Sequence, residues 1–274
     1  MNFDFENKVY VMGILNITPD SFSDGGENYS LEKAIIHGKK MVEDGVDIID
    51  VGGESTRPGS DPVSLEEELA RVIPLIKRLV EEVSVPISID TYKAQVAKEA
   101  LEAGATIIND VSGFKMDRDM AKVAGEKNAY SILMHMRGTP KSMQQDYSYK
   151  DLLGEVEEEL QESIDLALEA GVTRDRLILD PGIGFAKGLE ENVILLNNIE
   201  RLKKRFNLPV LIGASRKKFI GTILNIENPK DRLEGSLAVA AIGAYEGAAI
   251  LRVHDVKETA RVVKLANFLR NYKK

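Results

Sequence analysis

Three glycines constrain this chain more than any other feature. Gly45, Gly104 and Gly247 each close a helical stripe and open a short apolar run. Five residues after each glycine stands a polar residue: Asp50, Asn109 and Arg252. A glycine past a helix C-terminus adopts positive φ at little cost and turns the chain back toward a sheet. The punctuation therefore marks a repeated strand–helix unit. Apolar runs suited to strands fall at 9–15, 46–51, 86–89, 105–108, 130–134, 177–179, 208–212 and 248–251. Helical patterns fall between them: from an N-cap at Ser30 to Gly45, 65–83 behind a Ser64/Glu67 capping box, 92–103, 117–127, 150–170, 189–206, 233–245 and 256–272. Strands that are apolar throughout belong to a parallel sheet covered by helices. About eight such units in 274 residues favour a closed (β/α)8 barrel, a TIM barrel in the α/β class, as a single domain over 1–274. No dinucleotide fingerprint follows the first strand, which weighs against an open Rossmann sheet.

Composition narrows the function. The chain has no cysteine, which removes disulfides, thiolate nucleophiles and cysteine-ligated metal sites. Its net charge of −8 argues against nucleic acid, although a local cationic cluster can still hold a small anion. No apolar run is long enough to span a bilayer, and no signal pattern opens the chain, so a cytoplasmic location is the expectation.

In such a barrel the C-terminal ends of the strands meet at one mouth. The residues expected there are Asn16, Thr56, Asp90, Asn109, His135, Asp180, Lys217, Arg252 and His254. Each alone has a plain structural reading: Asp90 caps a helix, Asn109 closes a turn, His254 caps the last helix. Together they line a rim with two carboxylates, an amide and several cations, which capping does not explain. Asp90, Asn109 and Asp180 supply acceptors for a flat heterocycle bearing N–H and NH2 groups, because a carboxylate accepting parallel N–H bonds is strong and selective. Lys217, Arg252, His254 and Arg57, with Lys187 as a further cation, suit phosphate, on the side where such barrels place it. The ligand this implies is an N-rich aromatic ring with a phosphorylated arm.

Seven blocks then carry a resemblance over nearly the whole chain. They are 12–26 (MGILNITPDSFSDGG), 52–59 (GGESTRPG), 88–91 (SIDT), 107–113, 180–187 (DPGIGFAK), 215–217 (SRK) and 252–255 (RVHD). In order and spacing the chain resembles the dihydropteroate synthase family. That resemblance implies a transferase joining a dihydropterin methyl pyrophosphate to p-aminobenzoate, with release of pyrophosphate. By position it implies that Asp90, Asn109, Asp180 and Lys217 bind the pterin and that Arg252 lies against its face. It also implies that Asn16 contacts Mg2+ on the pyrophosphate and that Arg252 and His254 hold the leaving group. Asp90, Lys217, Arg252 and His254 form the catalytic set it implies. Thr56, Arg57 and Pro58 would close the p-aminobenzoate site together with a first loop around Asp24, and Phe185 would wall the ring. A homodimer through helices of the C-terminal half is implied as well.

Two positions depart from the family pattern. Lys218 stands where the family commonly has a serine that receives the p-aminobenzoate carboxylate, and Ala186 stands where it usually has glycine. If the latter position requires positive φ, alanine costs roughly 1 kcal/mol. The alternatives are a methyltetrahydrofolate–corrinoid methyltransferase-like domain, which needs no pyrophosphate machinery, and a non-catalytic pterin-binding homologue.

Overall fold

The computed structural model describes residues 3–17, 26–55, 59–139, 143 and 147–272. The expectations for Thr56, Arg57, Pro58 and the stretch around Asp24 lie outside these residues. Among them eight strands form one all-parallel sheet: β1 Tyr10–Asn16, β2 Ile48–Gly52, β3 Ile87–Asp90, β4 Ile107–Asp110, β5 Tyr130–Met134, β6 Leu177–Asp180, β7 Leu211–Ile212 and β8 Ile250–Val253. The hydrogen-bonded order runs β6-β5-β4-β3-β2-β1-β8-β7. The remaining edge is joined by a parallel bridge between Leu179 and Val210, with Leu179 N donating to Pro209 O at 2.9 Å. The expected (β/α)8 barrel is therefore what the chain forms.

Helices α1 Gly26–Glu43, α2 Leu65–Glu82, α3 Ala94–Glu102, α4 Met120–Glu126, α5 Leu152–Glu169, α6 Leu189–Leu196, α7 Ile199–Phe206, α8 Lys218–Leu224, α9 Leu233–Glu246 and α10 Val256–Asn271 surround the strands. Gly45, Gly104 and Gly247 have φ of 94°, 112° and 98°, as the punctuation required. Ser64 caps α2 by accepting from Glu67 N at 3.2 Å, while the Glu67 side chain turns away to Arg71.

Three elements differ from expectation. α1 already includes Gly26, so Ser30 lies within the helix and not at its start. The single helix expected over 189–206 is two, because Asn198 turns its amide onto the Ile194 carbonyl at 2.8 Å, capping the end of α6 in place of the helical ladder. The third is α8, for which no helical pattern was expected: Gly221 and the β-branched Thr222 and Ile223 favour a helix poorly, and burial of Phe219 and Ile220 overrides that preference.

The barrel interior explains where the chemistry sits. Met12, Ile48, Ile107, Ile132, Ile178, Leu211 and Ile250 fill it, and Phe3, Phe5, Tyr10 and Tyr130 stack edge-to-face across its lower end. Val11, Ile49, Val51, Ile108 and Leu179 point outward into the layer shared with the helices. Side chains alternate along a strand, so the residue two places beyond an interior isoleucine also points inward, one layer nearer the mouth. For Ile48, Ile107, Ile178 and Ile250 that residue is Asp50, Asn109, Asp180 and Arg252. Asp90 joins the same layer opposite Asn109 in the β3–β4 register.

Candidate active site

This polar layer is a connected network. The Arg252 guanidinium donates through Nε to Asp50 Oδ2 at 2.6 Å and through a terminal nitrogen to Asp90 Oδ2 at 2.5 Å. Asn109 Nδ2 donates to the same Asp50 oxygen at 3.1 Å. Because Asp50 can only accept, Asn109 is oriented with its carbonyl oxygen turned away from it. The second oxygens of Asp50 and Asp90 are buried, with no hydrogen-bond partner among the described residues. Two carboxylates share one guanidinium, so the cluster has acceptor capacity to spare. Burial raises the Asp90 pKa; Arg252 opposes that and the Asp50 charge adds to it. The guanidinium stays protonated: burial weakens its charge, but Asp50 and Asp90 more than compensate.

Asp180 sits across the mouth at the end of β6. Its Oδ1 accepts from Gly182 N at 2.7 Å, which closes the turn after the strand. Burial raises its pKa, with Lys217 the principal opposing charge. Lys217 stands at the N-cap position before α8 without capping it through its side chain; its ammonium donates instead to the Ile183 carbonyl and lies 4.5 Å from the centre of the Phe185 ring. Burial brings the Lys217 pKa down to about 8. Phe185 is half-buried beside it.

The loop that carries Asp180 is held by several bonds. Gly184 N donates to Asn192 Oδ1 at 2.6 Å, and Tyr149 donates its hydroxyl to the Ala186 carbonyl at 3.0 Å. Ala186 has φ of 50°, the left-handed conformation its glycine-bearing relatives would adopt freely. Lys218 begins α8 and is exposed. His254, after β8, faces Ser215, whose hydroxyl lies 3.1 Å from its Nδ1 and accepts from its backbone N at 3.3 Å. Asn16 ends β1 with its Oδ1 buried and without a hydrogen-bond partner among the described residues.

The structure thus brings Asp90, Asn109, Asp180, Lys217, Phe185 and Arg252 together, with Asn16 and His254 at the same strand ends. Two expectations fail. Neither Lys187 nor His135 is exposed at the rim: both are buried and packed against each other, 2.9 Å apart through Lys187 Nζ and His135 Nδ1. A loop with four positive-φ or proline positions doubles back over them, which strand-end position alone does not reveal. Asp50 was missed. It shares the offset from Gly45 that marks Asn109 and Arg252, but it falls within the apolar run 46–51 and was not placed at the rim.

With this geometry in place, the chain can be compared with known proteins. The family model described as "Pterin binding enzyme" matches residues 12–254. The chain belongs to the pterin-binding enzyme family. Among its curated relatives, the dihydropteroate synthase of Bacillus subtilis is 50% identical over 267 residues, covering 97% of this chain and 90% of the relative. A solved dihydropteroate synthase from Clostridium difficile, crystallised in the presence of pteroic acid, is 46% identical with a TM-score of 0.92, covering 99% of this chain and 100% of that one. The Xanthomonas albilineans enzyme, solved with 4-aminobenzoic acid, is 42% identical with a TM-score of 0.90, covering 96% and 94%. The resemblance read from the sequence blocks is borne out.

Proposed function

We propose that the chain is a dihydropteroate synthase that joins a dihydropterin methyl pyrophosphate to the amine of p-aminobenzoate and releases pyrophosphate. The observation that carries this reading is the acceptor layer of Asp90, Asn109 and Asp180, set across one barrel mouth and flanked by Arg252 and Lys217. In this reading Asp180 and Asp90 accept from the amidine-like N–H edge of the pterin, and the outward carbonyl of Asn109 adds a third acceptor. Lys217 and Arg252 bracket the ring. The carboxylates below the ring favour the delocalised cation left when the C–O bond to pyrophosphate breaks. Arg252 and His254 stabilise the departing charge. The weakly basic arylamine then attacks the methylene carbon against the Phe185 wall.

Mg2+ fits the residues present. The Asn16 Oδ1 is a buried, unpartnered oxygen donor. No group of three or more acidic or histidine side chains among the described residues could hold a metal by itself. That pattern suits a hard cation bound mainly through substrate phosphates and water. Bound there, Mg2+ would neutralise charge on the leaving pyrophosphate.

The proposed assembly is a homodimer through α9 and α10, which expose Ile242, Leu265, Phe268 and Leu269, with exposed Tyr272 just past α10; sedimentation would give the mass of two chains. No helix among the described residues is long and apolar enough to cross a membrane, and the proposed location is the cytoplasm. The test of function is incubation with dihydropterin pyrophosphate, Mg2+ and labelled p-aminobenzoate. Pyrophosphate release that depends on the arylamine supports the synthase, and tight pterin binding without turnover rejects it in favour of a non-catalytic homologue.

A further inference from the structure

Lys187 is buried, at 2% exposure. Its ammonium donates to His135 Nδ1 and to the Phe185 carbonyl, each at 2.9 Å. Since His135 Nδ1 accepts, its ring proton sits on Nε2, 3.1 Å from Glu159 Oε2. Arg137 holds Glu159 in place through Nε at 2.8 Å. Lys187 therefore rests on two neutral acceptors, an expensive arrangement for a buried ammonium. An internal strut needs no charge, and methionine would fill the same space.

The position of the charge explains it. A methyl group on Gly182 would stand 3.3 Å from Lys187 Nζ. Gly182 is the residue whose N–H closes the turn onto Asp180. The buried ammonium thus lies against the turn that the Asp180 carboxylate completes. The charged groups facing Asp180 are Lys217 after β7, Lys187 in its own loop and Arg252 on β8. Those facing Lys187 are Asp180, Lys217, Glu159 on α5 and Arg137 after β5. Lys217 stands on the substrate side, where contact with ligand competes for it.

We propose that Lys187 is a positioning residue whose charge, clamped by His135 and the Phe185 carbonyl, keeps Asp180 ionised so that it can accept from the pterin. The proposal rests on the synthase reading. Burial pushes Asp180 toward the neutral acid, whose O–H would meet a pterin N–H donor with another donor. Burial also lowers the Lys187 pKa to about 7, so its charge is present on the acid side, where Asp180 needs it. Pterin binding is lost as pH falls through the Asp180 pKa, and removing a nearby cation moves that loss to higher pH.

The test is calorimetric binding of 6-hydroxymethylpterin between mildly acid and mildly alkaline pH. Lys187→Met should raise the acid midpoint by about one pH unit, a roughly tenfold loss of affinity on the acid limb, with little change on the alkaline side. Lys187→Met/His135→Leu removes both partners of the buried contact, which protects the fold, and should show the same shift. His135→Asn keeps an acceptor near the Nδ1 position and should leave the midpoint unchanged. The pterin's own titration is common to every variant. Variants that lose only thermal stability while sharing one midpoint would overturn the role of Lys187. An unsubstituted protein that binds no pterin would overturn the synthase reading instead.

Discussion

Asp50 is the least conspicuous member of the polar layer and organises two of its neighbours, so its loss is informative. Asp50→Asn keeps the shape but removes an acceptor. Asp50 is fully buried and takes 2.6 Å and 3.1 Å bonds from Arg252 and Asn109. Losing a hydrogen bond to a charged partner costs about 1.5–3 kcal/mol, and a donor left facing a donor costs about 1–3 kcal/mol more. Two effects offset this: Arg252 keeps Asp90, and one carboxylate of a crowded pair disappears. The net loss should be about 2–4 kcal/mol of folding stability. Asn109, no longer held, should also reduce pterin affinity by about tenfold, or 1.4 kcal/mol. Urea unfolding gives the first quantity and calorimetry with a pterin the second. Stability within about 0.5 kcal/mol of the parent, which is the usual range for surface changes, together with unchanged affinity would refute the organising role.

Ala186→Gly should alter stability by less than about 1 kcal/mol, because relief of roughly 1–2 kcal/mol at φ of 50° is offset by glycine's entropy and the lost burial of a methyl group; a urea midpoint checks it. Lys218→Ser should raise the KM for p-aminobenzoate by no more than about fivefold, since an exposed lysine attracts a carboxylate by at most about 1 kcal/mol. His135 is held neutral, with burial lowering its pKa to about 4. The unfolded chain therefore binds more protons between about pH 6.5 and 4, and stability falls as pH drops through that window, by roughly 3 kcal/mol at the limit. In His135→Asn the urea-measured slope over this range should flatten.

The barrel was legible because its signals are local and repeated. A glycine at a helix end, an apolar run and a polar residue at fixed offset survive any detail of packing. Asp90, Asn109, Asp180 and Arg252 could be placed for the same reason, since strand alternation carries them to one layer. What escaped depends on distant partners. Asp50 becomes meaningful only when β8 delivers Arg252 against it. His135 and Lys187 look like rim residues until the 181–187 loop folds over them. The break between α6 and α7 turns on one asparagine choosing a backbone carbonyl, and α8 exists because two buried side chains outweigh a poor helical sequence. The resemblance to a family supplied roles that no local pattern contains, such as that of Asn16.

The central claim is that the acceptor layer holds the pterin, and Asp180→Asn tests it most directly. The substitution preserves size and places an amide donor where the pterin presents N–H. Calorimetry on the parent should show pterin binding, with a loss of affinity of about a hundredfold or more in the variant, corresponding to a buried, charge-assisted contact of about 3 kcal/mol. Equal pterin affinity in the parent and in a folded Asp180→Asn variant would contradict the account.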